Sequence, residues 1–154
     1  MSVVLTLTSV AILTAFTVSN TALVGLLSVD HGNAQAHSEE GLDTMFVDQD
    51  LLVKTLQGFD CHMNVSENEI RVETSCGVLR YARSSPAENF KLYVDEIVDT
   101  DALIENIRAF EEDYGRNVQS FTYDHIRANL AKNMTIADVD ILEDDSMYLT
   151  INLE

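Results

Sequence analysis

The sequence predicts an α+β fold: a mainly antiparallel sheet of about six strands packed on one long helix, preceded by a short helix and an N-terminal apolar helix. Three observations carry this expectation. In residues 146–154, Met147, Leu149, Ile151 and Leu153 alternate with Tyr148, Thr150 and Asn152, as in a strand with one buried face. Leu103, Ile107, Phe110, Tyr114, Val118, Phe121 and His125 recur at three-or-four spacing, with Ile126 and Leu130 on the adjoining edge, which describes a helix of about 30 residues. Ser66-Glu67-Asn68 separates two strand-like runs, 60–65 and 69–75, as a hairpin turn does.

The first 29 residues hold no charged side chain, whereas all nine basic and all 26 acidic residues lie at or beyond Asp30. This break divides the chain into an apolar segment (1–29), a linker (30–44) and an acidic α+β domain (45–154). Three readings of the apolar segment compete. As a helix it exceeds the roughly 20 residues needed to cross a bilayer. Thr6, Thr8, Ser9, Thr14, Thr17, Ser19 and Thr21 make it only moderately apolar, which suits a helix packed among protein neighbours as well as one inserted in lipid. As a cleaved export signal it ends in Ala34-Gln35-Ala36, a small-residue cleavage pattern, but it lacks a basic start, the first basic residue being Lys54. As a strand it offers the alternation Leu5-Thr6-Leu7-Thr8 and many β-branched residues.

The linker combines His31-Gly32-Asn33 with His37-Ser38-Glu39-Glu40-Gly41 and has no apolar period. Asp48 or Asp50 can cap a short helix whose face is Leu51, Leu52, Thr55 and Leu56 and which Gly58 ends. With Glu67-Asn68 as a two-residue turn, Val65 faces Ile70 and Met63 faces Val72, and these four make an inner face. Val78–Arg83 and Phe90–Val98 are the next strands; in the second, Phe90, Leu92 and Val94 point inward and Lys91, Tyr93 and Asp95 outward. Asp99-Thr100-Asp101 supplies capping oxygens for the long helix, with a bend expected at Gly115. The last strands, Met134–Leu142 and Ser146–Glu154, are joined through Glu143-Asp144-Asp145.

A net charge of −17 with scattered basic residues disfavours nucleic-acid binding, which needs a positive footprint. It also repels anionic membrane surfaces, so membrane contact would fall to residues 1–29. The hairpin register puts Cys61 and Cys76 on one face, a diagonal step of roughly 7–8 Å apart. Buried free thiols are then expected, with a disulfide as the alternative in an exported protein. His62 faces away from Cys61 and cannot serve as its base.

The acids Asp138, Asp140, Glu143, Asp144 and Asp145 lack the spacing and glycine of a calcium loop and read as a solvated turn. Glu111-Glu112-Asp113 reads as a solvated helix face. His31 and His37 read as linker residues without further ligands, and His125 as a core or edge histidine with no triad partner in view. No catalytic, cofactor-binding or metal-ligating residue is assigned, and an enzyme is disfavoured.

Tyr114-Gly115-Arg116-Asn117-Val118, Tyr123-Asp124-His125-Ile126 and Leu142-Glu143-Asp144-Asp145-Ser146 with Leu149-Thr150-Ile151 form a helix followed by an acidic-turn hairpin. With these motifs, residues 45–154 resemble a conserved bacterial and plastid family of unknown function whose genes often neighbour MoxR-type AAA+ ATPases. The resemblance implies an adaptor role beside an AAA+ ATPase. The residues themselves point to a non-enzymatic binding or assembly protein, held to a membrane or to a protein assembly such as a filament by its apolar N-terminal segment. The alternative is an exported soluble binding domain whose leader is removed.

Overall fold

The computed structural model describes residues 1–7, 41–143 and 145–153. They fall into two compact units, one comprising residues 41–111 and the other residues 1–7 with 112–153.

In the 41–111 unit, a two-residue strand β2 (Leu42–Asp43) precedes helix α1 (Gln49–Leu56) and strands β3 (His62–Val65), β4 (Glu69–Thr74), β5 (Gly77–Ala82) and β6 (Lys91–Ile97). The sheet is antiparallel throughout, in the order β2-β6-β5-β4-β3. Its inner face is built in rows. Ile70, Tyr81 and Leu92 stand opposite one another across three strands, as do Val72, Leu79 and Val94, and all six are buried. Alternation thus places two apolar residues per strand on one side. On the other side, Arg71 and Arg80 are cross-strand neighbours, which would repel, but Asp95 accepts from both at 3.1 and 3.2 Å.

Helix α1 starts where expected. The Asp48 carboxylate accepts the Leu51 N–H at 3.0 Å, and Leu52, Thr55 and Leu56 are buried. The second helix, α2 (Thr100–Asn129), is capped by Asp99, whose side chain accepts the Ala102 N–H at 3.1 Å. Its residues 100–111 belong to this unit and bury Leu103, Ile107 and Phe110, with Phe110 edge-on to Phe59 at 4.6 Å between ring centres. Gly77 has φ +154° and lies against the Glu96 carbonyl and the Leu103 side chain, where a Cβ would collide.

The 1–7/112–153 unit holds strands β1 (Ser2–Leu7), β7 (Met134–Ile141) and β8 (Met147–Leu153), with α2 residues 112–129. They make a three-stranded antiparallel sheet in the order β1-β8-β7. Leu5, Leu149 and Val139 form one row and Leu7, Met147 and Ile141 another, so this face is apolar on every strand. The β7–β8 turn passes through Asp145, whose φ of 60° is left-handed.

Three expectations are corrected. The expected single sheet of about six strands is instead two sheets, because β8 takes β1 as its second neighbour and does not join β6. Ser2–Leu7 is a strand and not the start of an apolar helix; β-branched Val3, Val4 and Thr6 and the matching alternation of β8 favour pairing over helix. Leu42–Asp43, expected in the linker, pairs with β6 opposite Leu92 and Lys91. Residues 8–29, His31 and His37 lie outside the described residues.

Candidate interaction surface

β1 presents a surface unusual for an acidic chain. It carries no charge, and Val3, Val4 and Leu5 are 45%, 58% and 40% exposed. Val3 and Leu5 lie on the same side as buried Ile151 and Leu149, so they flank a covered centre, while Val4 lies on the opposite side. At the far edge, Val139 and Ile141 of β7 continue the half-covered apolar side, and Ile141 is 68% exposed. One end of the sheet is tied to α2: the Gln119 amide donates to the carbonyls of Leu7 and Asp145 at 3.1 and 2.8 Å. An open groove of about 620 Å³ lies beside β7, lined by Tyr123, Arg127, Leu130, Met134 and residues 135–139.

The residues weighed for chemistry are dispersed. Asp138, Asp140, Glu143 and Asp145 are exposed, and among the described residues no three His, Cys, Asp or Glu side chains converge to hold a metal ion. His125 is exposed, stacked on exposed Phe121 at 6.4 Å and beside Asn129; it is not a core residue.

Both cysteines are free. Cys76 sits in the two-residue turn closed by the Thr74–Gly77 pair, with its sulfur 3.6 Å from both Ser75 Oγ and Asn106 Nδ2, and not on a strand face with Cys61. The Cys61 thiol donates to the Leu56 carbonyl at 3.3 Å, and burial, with a further contribution from Asp60, pushes its pKa up. A thiol so held is a poor nucleophile at neutral pH.

Glu111 departs from expectation. Expected on a solvated face, it is 4% exposed, and its charge adds to the burial that drives the Tyr81 hydroxyl above the ordinary phenol range. The signal was present, since Glu111 is four residues beyond Ile107 and therefore inside the apolar stripe. The Tyr81 hydroxyl is itself buried without a hydrogen-bond partner.

Together the fold and this surface define an α+β protein whose most distinctive feature is a partly open edge strand, β1, without charged side chains. Comparisons with models of known protein families, with curated proteins and with solved structures find no match.

Proposed function

We propose that this chain is a non-enzymatic assembly protein that binds a protein partner through the β1-β8-β7 sheet. The observation that supports this most directly is the uncharged, exposed β1 in a chain of net charge −17. Apolar surface left open on a strongly charged protein is the usual mark of a contact site. The protonated state favoured for Cys61 also suits a structural rather than a nucleophilic thiol.

For Ser2–Leu7, assembly is favoured over insertion in lipid because the segment is engaged in a six-residue ladder with β8. The same ladder favours an intact leader over a removed one: cleavage after Ala36 would strip β1 from β8 and uncover buried Leu149.

The test is the size of the native particle. Gel filtration of a gentle cell extract, with immunodetection of the chain, should give a soluble species well above the 17.2 kDa of one copy. Recovery solely as a monomer would overturn the assembly reading. Recovery exclusively from membranes by detergent would replace it with the lipid one.

A further inference from the structure

Among the described residues, the two edges of the β1-β8-β7 sheet are built differently. β7 is blunted: its register breaks between Ile136 and Asp138, it carries the carboxylates of Asp138 and Asp140, and the Asp138 side chain itself accepts the Val139 N–H at 2.9 Å. β1 has no such device. Its register with β8 is unbroken from Ser2 to Leu7 and none of its side chains is charged. The edges of the other sheet are short, two residues in β2 and four in β3. β1 is thus the long, unprotected edge.

Backbone parity shows what this edge offers. The Leu153 N–H donates to the Met1 carbonyl at 2.9 Å, so Met1 and every second residue after it turn their N–H and C=O groups toward β8. Ser2, Val4 and Thr6 turn theirs outward. We propose that β1 pairs antiparallel with β1 of a second copy of this chain about a two-fold axis at Val4, joining two three-stranded sheets into one. This rests on the assembly reading above and names its partner.

The axis position follows from two independent requirements. A two-fold normal to the sheet keeps the half-covered apolar side common to both copies, so residues of equal parity must face each other. Centring on Val4 sets Ser2 opposite Thr6 of the second copy and Val4 opposite Val4, which are the residues with outward backbone groups. Each of these pairs exchanges two hydrogen bonds. Val3 then faces Leu5 of the second copy, covering side chains that are 45% and 40% exposed.

Charge selects the occupant. Two chains of net charge −17 repel at most approaches, and β1 is where neither copy brings a carboxylate or any other charged side chain. The same pairing at β7 would bring the carboxylates of Asp138 and Asp140 close to those of the second copy.

The test is sedimentation velocity of the full chain from low micromolar to near-millimolar concentration, with two variants. Val4→Pro removes the central outward N–H, which the β8 ladder does not use, and proline is tolerated at such a free edge. Val4→Lys sets two cations against each other across the axis. The wild type should form a reversible dimer, and both variants should raise its dissociation constant at least tenfold with unchanged circular dichroism. Should Val4→Pro fail to fold, Val4→Lys and wild-type hydrogen exchange decide: the Val4 and Thr6 amides should slow as concentration rises. A monomer at every concentration, a dimer insensitive to Val4→Lys, or concentration-independent exchange at Val4 and Thr6 would overturn self-pairing. A monomeric purified chain whose native particle is nevertheless large would point to a foreign strand at β1, leaving the assembly reading intact.

Discussion

The side-chain amide of Gln119 donates to the main-chain carbonyl of Leu7 at 3.1 Å, which fixes α2 to the end of the first strand. A second bond from the same nitrogen, to the Asp145 carbonyl at 2.8 Å, fixes the left-handed turn between β7 and β8. One side chain therefore ties together segments more than a hundred residues apart. Gln119→Leu keeps the side-chain bulk and removes both bonds. It should cost about 1–2 kcal/mol, at about 1 kcal/mol per partly exposed bond, and speed amide exchange in β1, as read by urea melts and hydrogen exchange.

Alkaline pH should destabilise the 41–111 unit through Tyr81 and Cys61. Both are held protonated, with folded-state pKa values above their ordinary 10.0 and 9.0. A raised folded-state value gives stability that is fully present below the ordinary pKa and lost as pH rises toward the folded one. Urea midpoints should stay level through neutrality and fall above about pH 9. Tyr81→Phe deletes a buried hydroxyl that has no hydrogen-bond partner, so at neutral pH it should be neutral or stabilising by up to about 1–2 kcal/mol. It should also shrink the alkaline loss, leaving the part due to Cys61.

Cys61 should alkylate more slowly than a free thiol at about pH 7.5, because its raised pKa lowers the thiolate fraction. The rate should keep climbing beyond pH 9, where an ordinary thiol levels off. Mass-spectrometric kinetics with iodoacetamide, following the Cys61 peptide, provide the measurement; a plateau near the ordinary thiol value would contradict it.

Gly77→Ala should be severely destabilising, by about 2–4 kcal/mol, since its Cβ would collide with the Glu96 carbonyl and the φ of +154° is one that side chains rarely adopt. Thermal unfolding measures the loss. Gly58→Ala, where the nearest contact is the Thr55 carbonyl at 3.2 Å, serves as a milder comparison.

Local patterning made much of the fold legible. The Glu67-Asn68 turn, the pairs Val65–Ile70 and Met63–Val72, and the inward Phe90, Leu92 and Val94 all follow from period and turn chemistry. The turn forms without Asn68 taking a left-handed conformation, Asp145 being the one described non-glycine residue with positive φ. The inner face is less complete than the pattern suggested: Val65 is 44% exposed because β3 is an edge strand.

What remained illegible was pairing at long range. Nothing in the alternation of β8 says that its neighbour lies 150 residues upstream, as the Ser2–Asn152 side-chain bond demonstrates. The length and lack of charge of residues 1–29 favour a helix, whereas the alternation confined to the first few residues is the better guide to Ser2–Leu7. The absence of charge from residues 1–29 is explicit in the sequence. The place of Ser2–Leu7 as a sheet edge depends on topology.

The pairing of β1 with β8 also sets an order of events during synthesis. Leu7 leaves the ribosome 140 residues before its partner Met147, a wait of about 7–30 s at roughly 5–20 residues per second. Through that interval the apolar strand lacks β8, its strand partner among the described residues, while the whole 41–111 unit is made and can close locally. A strand made this long before its partner is therefore among the last to pair, and nascent chains should depend on chaperone protection of Ser2–Leu7 until β8 emerges.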